Sequence, residues 1–151
     1  MSNTIIAAYD GSGHAELAVR VAVELAKSLN LHLVLLNVKP DLKIGHIRRF
    51  FSDTEIEQYS RESGLKVLEK AQQSLQKEGI SFECVVRYGV PEKEIGNYAE
   101  ETSARWIVMG SRGMGAITGK ILGSVSSGII KHARCPVVIV PDAYQTRIEP
   151  K

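Results

Sequence analysis

The sequence of 151 residues carries 19 lysines and arginines against 17 aspartates and glutamates, a formal net charge of +2. So small a charge does not indicate nucleic acid or a membrane surface as the main partner, and 44% hydrophobic with 24% charged residues is typical of globular domains. The length predicts one domain spanning residues 1–151, and with no signal sequence or long apolar run visible we expect a cytoplasmic protein.

The first part of the chain predicts a strand, a helix and a second strand. Thr4–Tyr9 is short and is followed by the turn sequence DGSG, as expected of a buried strand. Ser12 is well placed to cap the next helix, whose apolar residues recur at spacings of three and four: Ala18, Val21, Ala22, Leu25, Ala26 and Leu29. Leu31–Val38 is almost continuously apolar, which predicts a central strand covered on both faces.

The rest of the chain repeats this order. Ser52 and Glu55 have the spacing of a capping box and begin a long helix that Gly79 would end. Its apolar residues keep roughly to one face: Ile56, Tyr59, Val67, Leu68, Ala71 and Leu75. A third strand, Ile80–Tyr88, alternates in polarity as edge strands do, and Pro91 suits the first turn of a helix. The remaining predicted elements are a strand at Trp106–Met109, a helix at Ser124–His132 and a strand at Val137–Val140.

Strands that alternate with helices along a whole chain predict a doubly wound α/β fold. We expect a five-stranded parallel sheet of order 3-2-1-4-5 with helices on both faces. Such sheets bind ligands at the carboxyl ends of their strands, where the strand order reverses. This rule directs attention to Tyr9–Gly13 and Met109–Ser124.

The second of these segments reads MGSRGMGAITGKILGS and contains five glycines. It is not a Walker loop, because three residues instead of four separate Gly115 from Gly119 and Ile121 stands in place of a hydroxyl residue. A dinucleotide fingerprint also fails, since Glu16 and Thr118 occupy the positions of its last glycine. A phosphoacceptor domain would need an aspartate at the end of the third strand, where the sequence has RYG.

A distinct spacing remains: Gly110, two residues, Gly113, nine residues, then Gly123 and Ser124. Gly110 would let a sugar or ring lie against the backbone, and Gly113 would permit a positive φ and expose peptide N–H groups. Gly123 and Ser124 begin a helix, whose first N–H groups and dipole favour an anion. The alternative is that these glycines only fill turns and that Ser124 only caps its helix.

These residues, in the contexts VMGSRGMG and LGSVSSGIIKHARCPVVIV, resemble the signature of the universal stress protein family in its nucleotide-binding branch. The resemblance implies ATP, or AMP or ADP, in the cleft, with Mg or Mn as a possible companion of the nucleotide. It places Asp10 near the ribose or the metal-phosphate region, and the Val38 backbone at the adenine. The other implied contacts are Ala8, Tyr9 and Met109 with the base, Gly110 with the ribose, and Gly113, Gly123, Ser124 and Val125 with the phosphates.

Positive charge for the phosphates could come from Arg112 and Lys120. Gly115 and Gly119 are interpreted as hinges of a loop that closes over the triphosphate. The last strand, PVVIVP, is apolar and would need a partner at a sheet edge. The family pairs this strand with its own copy, so we expect a homodimer through Val137–Val140. Scattered histidines and cysteines predict no resident metal site.

The function implied is that of an ATP-binding universal stress protein, with a nucleotide-dependent regulatory role and little or no hydrolysis. Hydrolysis needs a positioned water and a base, and only Asp10 could serve as one. Two alternatives stay open, a slow ATPase and a dimeric interaction module of the same fold without nucleotide. Regulatory protein partners are not identified by the sequence.

Overall fold

The computed structural model describes residues 2–43, 45–113 and 122–149. The predictions for Gly115, Gly119 and Lys120 therefore lie outside the described residues. Those described form five strands: β1 (Thr4–Ala8), β2 (His32–Lys39), β3 (Phe82–Tyr88), β4 (Trp106–Gly110) and β5 (Val137–Val140). Their helices are α1 (Gly13–Leu29), α2 (Asp53–Gln76), α3 (Pro91–Glu101), α4 (Ser124–His132) and α5 (Tyr144–Ile148), with a 3₁₀ turn at His46–Arg49.

The strands pair in parallel in the order β3-β2-β1-β4-β5, which confirms the predicted fold. Side chains alternate between the two faces of each strand. One face packs against α1 and α2, and the other packs against α3 and α4. The sheet order reverses beside β1, so the carboxyl ends of β1, β2 and β4 form the edge where a ligand is expected.

The helix starts follow the predicted capping chemistry. Ser12 Oγ accepts a hydrogen bond from the Ala15 N–H at 3.1 Å and caps α1. At the start of α2, Ser52 and Glu55 form the reciprocal capping box. Pro91 begins α3. These starts are read correctly because each depends on a few neighbouring residues and not on the tertiary fold.

Three details of the sequence interpretation are wrong. Leu29 and Tyr59, assigned to buried helix faces, are 39% and 66% exposed. Leu29 is the last residue of α1, and Tyr59 lies beside the buried face of α2, which runs through Ile56, Ser60 and Gly64. Helix α2 ends at Gln76, and Gly79 has a φ of +67° in the turn that follows. The short helices at His46–Arg49 and Tyr144–Ile148 were missed because four or five residues are too few to show a helical repeat.

Candidate functional site

A cavity of about 370 Å³ opens at the carboxyl ends of β1, β2 and β4, within the size range of small-molecule sites. Each described residue that was assigned to the nucleotide lines it: Ala8, Tyr9, Asp10, Val38, Met109, Gly110, Arg112, Gly113, Gly123, Ser124 and Val125. The sequence interpretation did not include six further lining residues: Ala15, Leu36, Asn37, Pro91, Ile95 and Ser126. The fold thus brings residues from several separate segments of the chain to one cavity.

One end of the cavity is apolar. Ala8, Val38, Met109 and Ile95 belong to the hydrophobic cluster between the sheet and helices α3 and α4. Strand alternation places the first three on the same face of the sheet, and α3 adds Ile95 from above. Such a surface suits the flat face of an aromatic base.

Tyr9 lines the cavity and is also anchored in the core. Its ring packs in the core cluster of α1 and α2, and its hydroxyl donates to Glu16 Oε1 at 2.5 Å. Burial first, and then Glu16, raise the pKa of Tyr9. The ring is therefore held firmly in the core.

Asn37 holds the ends of β1 and β2 together, and its role was missed. Its side chain is buried, and Nδ2 donates to the Tyr9 carbonyl at 2.8 Å. Among the described residues, Asn37 Oδ1 has no hydrogen-bond partner. The available signal was one amide in the apolar run LHLVLLNV, because a buried amide in a central strand must find a partner.

Gly110 makes room for helix α1 in addition to lining the cavity. A Cβ at this position would lie 2.8 Å from both the Cβ and the carbonyl oxygen of His14. Gly110 therefore lets the first turn of α1 pack directly on β4. Its missing side chain faces this helix.

Gly113 also differs from its prediction, because its φ lies outside the positive region. A Cβ here would collide with Asp10 Oδ2. The other carboxylate oxygen, Asp10 Oδ1, accepts the Ser12 N–H at 3.0 Å. The glycine thus makes room for a carboxylate at the base of the cavity, and it brings two of the predicted residues into direct proximity.

The amino end of α4 forms the polar end of the cavity. Gly123 is its N-cap and offers no capping side chain to the N–H groups of the first turn. The residues of this turn line the cavity, and Ser124 among them is exposed. Ser126 has a structural task, since its hydroxyl donates to the Ser111 carbonyl at 2.7 Å. The Gly123 N–H reaches the same carbonyl at 2.7 Å. These bonds fix the helix end against β4, where its dipole favours an anion.

Arg112 supplies positive charge among the described residues that line the cavity. Its guanidinium contacts Asp142 Oδ2, and Asp142 Oδ1 lies 2.5 Å from His14 Nδ1. These three side chains are only partly exposed. Neither His14 nor Asp142 was singled out from the sequence, because both lie far along the chain from Arg112.

The described residues contain no group of three or more histidines, cysteines or acids that could hold a metal ion. Asp10 is the one carboxylate among the described residues that line the cavity. Magnesium is commonly bound by one or two carboxylates together with substrate phosphates. The donor set therefore fits a metal that arrives with a nucleotide better than a resident one.

No helix in the described ranges combines the length and hydropathy needed to cross a bilayer.

Comparison with known proteins identifies the family. Residues 1–141 match the universal stress protein family. The chain belongs to this family. The universal stress protein YxiE of Bacillus subtilis is 34% identical over 148 residues, which cover 93% of this chain and 99% of the relative.

Two solved structures share the fold. One is a universal stress protein in complex with cAMP, at 23% identity and a TM-score of 0.66, covering 91% of this chain and 94% of the other. The second is the Archaeoglobus fulgidus protein in complex with dAMP, at 25% identity and a TM-score of 0.64, covering 92% and 97%. Both of those proteins hold an adenine nucleotide.

Proposed function

We propose that this universal stress protein binds ATP in the cavity at the carboxyl ends of β1, β2 and β4, and that occupancy regulates its associations in a stress response. The observation that carries the proposal is the composition of this cavity. An apolar end beside α3 and a polar end at the start of α4 are joined in one space of about 370 Å³. A purine and its phosphates have the same two-part character.

The two nucleotide complexes support the choice of ligand class. They show that this family fold can hold an adenine nucleotide in the proteins concerned. The proposal of a triphosphate for this chain depends on its own donors. Arg112, Ser124 and the first turn of α4 lie around the polar end, and each helix-end interaction supplies only about 0.3–1 kcal/mol per charge. Several such donors acting together suit a ligand with several phosphates.

Asp10 favours Mg or Mn as a companion of the nucleotide. Magnesium is commonly bound by one or two carboxylates together with substrate phosphates, and a divalent cation shared between Asp10 and phosphate oxygens would lower the repulsion between these groups. We therefore expect ATP affinity to rise when Mg²⁺ is added. When bound, the metal would neutralise phosphate charge.

Little or no hydrolysis is expected. A phosphoryl transfer site needs a positioned nucleophile as well as charge stabilisation. Asp10 already accepts the Ser12 N–H and lies against Gly113, so it is held at the base of the cavity as a ligand. Turnover at about 1 s⁻¹ or faster, an ordinary enzyme rate, would contradict this expectation.

We also propose a homodimer through β5. This strand is the outer edge of the described sheet, and Val137–Ile139 are only partly buried in the isolated chain. Pairing with a second copy would satisfy the outward backbone groups and cover these side chains. A monomeric mass in light scattering at micromolar concentration would contradict the dimer.

The deciding experiment has two parts. Purified protein is denatured by heat and the supernatant is examined by mass spectrometry for released nucleotide. Nucleotide-free protein is then titrated with ATP, ADP, AMP and adenosine by calorimetry, with and without Mg²⁺. Binding of ATP supports the proposal. No release and no heat at millimolar ATP would instead favour an interaction module with an empty cavity.

A further inference from the structure

The side chain of Arg112 is held by a residue from the opposite end of the chain. In the sheet, Gly110 of β4 pairs with Val140 of β5, and the Ser111 N–H continues the ladder to the Val140 carbonyl at 3.0 Å. Arg112 and Asp142 lie two residues beyond this pair, one after each strand, and their side chains are in contact. The contact is therefore a continuation of the β4-β5 pairing past the end of both strands.

The third member of the cluster comes from α1. Because a carboxylate oxygen only accepts hydrogen bonds, His14 Nδ1 donates to Asp142 Oδ1 at 2.5 Å. The main chain of His14 is itself packed against Gly110. Asp142 is thus fixed through one oxygen to a rigid helix end, and its other oxygen holds the guanidinium.

From this arrangement we infer that Asp142 is a positioning residue for the nucleotide site: it holds Arg112 ready for a phosphate. The inference rests on the proposed function. A guanidinium has five N–H donors in a planar fork, and the contact with Asp142 engages Nη2. The fork can therefore bind a phosphate oxygen while Asp142 keeps its hold. Ordering the long arginine side chain before the ligand arrives lowers the entropic cost of binding.

Asp142 could also act against nucleotide binding, and the two roles predict opposite changes in ATP affinity when Asp142 is replaced. If Asp142 mainly repelled phosphates or competed with them for Arg112, its removal would tighten ATP binding. The partial exposure of the pair screens such repulsion. The anchoring by His14 holds the carboxylate on the α1 side of the sheet, which favours positioning over competition.

The test measures ATP and adenosine affinity by calorimetry for the wild type, Asp142→Asn and Asp142→Glu. Asp142→Asn should weaken ATP by about 3- to 10-fold, the loss expected when one side chain must be ordered on binding, and adenosine affinity should not change. Asp142→Glu should recover part of the loss. Glu149→Gln is the matched control, because it removes a carboxylate of the same C-terminal segment that pairs with Arg20 instead.

A double-mutant cycle with Arg112→Ala separates positioning from other effects. In the Arg112→Ala background, Asp142→Asn should no longer weaken ATP binding. Unchanged or tighter ATP binding in the single variant, or an equal loss for adenosine, would overturn the inference and leave nucleotide binding intact. If the wild type itself bound no nucleotide, the proposed function would fail and the inference with it.

Discussion

Substitution of Gly113 by alanine tests the geometry at the base of the cavity most directly. An added Cβ would collide with Asp10 Oδ2, and the oxygen would have to retreat by about 1 Å to reach ordinary contact. The backbone itself tolerates alanine, because the φ of Gly113 is not positive. The fold should therefore survive, and the strain should fall on the Asp10 carboxylate.

The magnitude follows from what that carboxylate does. Asp10 accepts the Ser12 N–H at 3.0 Å and is the expected partner of the ribose or of a metal-phosphate complex. A hydrogen bond to a charged group contributes about 1.5–3 kcal/mol, so its displacement should weaken ATP binding by about 10- to 100-fold. Calorimetry with ATP and Mg²⁺ measures this loss, and thermal unfolding checks that the fold is kept.

Gly13→Ala provides the matched control, since a Cβ there meets no atom of the described residues within 4 Å. The Asp10→Ala background provides a second one, because it removes the colliding carboxylate and Gly113→Ala should then cost no further affinity. Equal affinity of the wild type and Gly113→Ala, or the same loss in both glycine variants, would refute the reasoning.

Three further predictions concern single side chains. Ser124→Ala should weaken ATP binding by about 2- to 10-fold, the loss of one neutral hydrogen bond, whereas Ser127→Ala on the same helix should not; equal affinities by calorimetry would show that Ser124 only begins α4. Gly110→Ala should lower the free energy of unfolding by about 1–3 kcal/mol in denaturant unfolding, because its Cβ would overpack α1. Gly96→Ala, in open space on α3, should raise the free energy of unfolding by about 0.5–1 kcal/mol. The reverse order of the two stabilities would contradict the packing argument. Hydrogen bonds from Ser52 lower the pKa of Glu55. The stability that the ionised Glu55 contributes is therefore present above the unfolded pKa of roughly 4.3 and is lost as pH falls through the lower folded pKa. The difference in melting temperature between wild type and Glu55→Gln should be present at pH 7 and vanish near pH 3, and a constant difference would show that the ionised carboxylate does not cause it.

Local chemistry allowed much of the fold to be predicted from the sequence. Ser12, Ser52 and Pro91 mark helix starts because capping depends on neighbours within four residues. The apolar run Leu31–Val38 and the alternating Ile80–Tyr88 predicted a central and an edge strand, and the sheet order confirms both. Exposure of Leu29 and Tyr59 could not be predicted, because helical periodicity alone fixes neither the end nor the edge of the face that a helix buries.

For the candidate site, the sequence determined which two segments approach one another. The glycine spacing and the alternation of strands with helices place Tyr9–Gly13 and Met109–Ser124 at one edge of a parallel sheet, because the carboxyl ends of parallel strands share an edge. The tertiary structure decided which neighbouring groups occupy the space that two of the glycines leave. Gly110 accommodates helix α1 and Gly113 accommodates Asp10.

The contact of Arg112 with Asp142 could come only from the tertiary structure. Thirty residues separate the two along the chain, and no local pattern relates them. The pairing of β4 with β5 brings them together, and the approach of α1 adds His14. A sequence specifies the periodicity and caps of each element through short-range interactions, whereas side-chain partners between elements depend on strand register and helix packing, which exist only once the chain has folded.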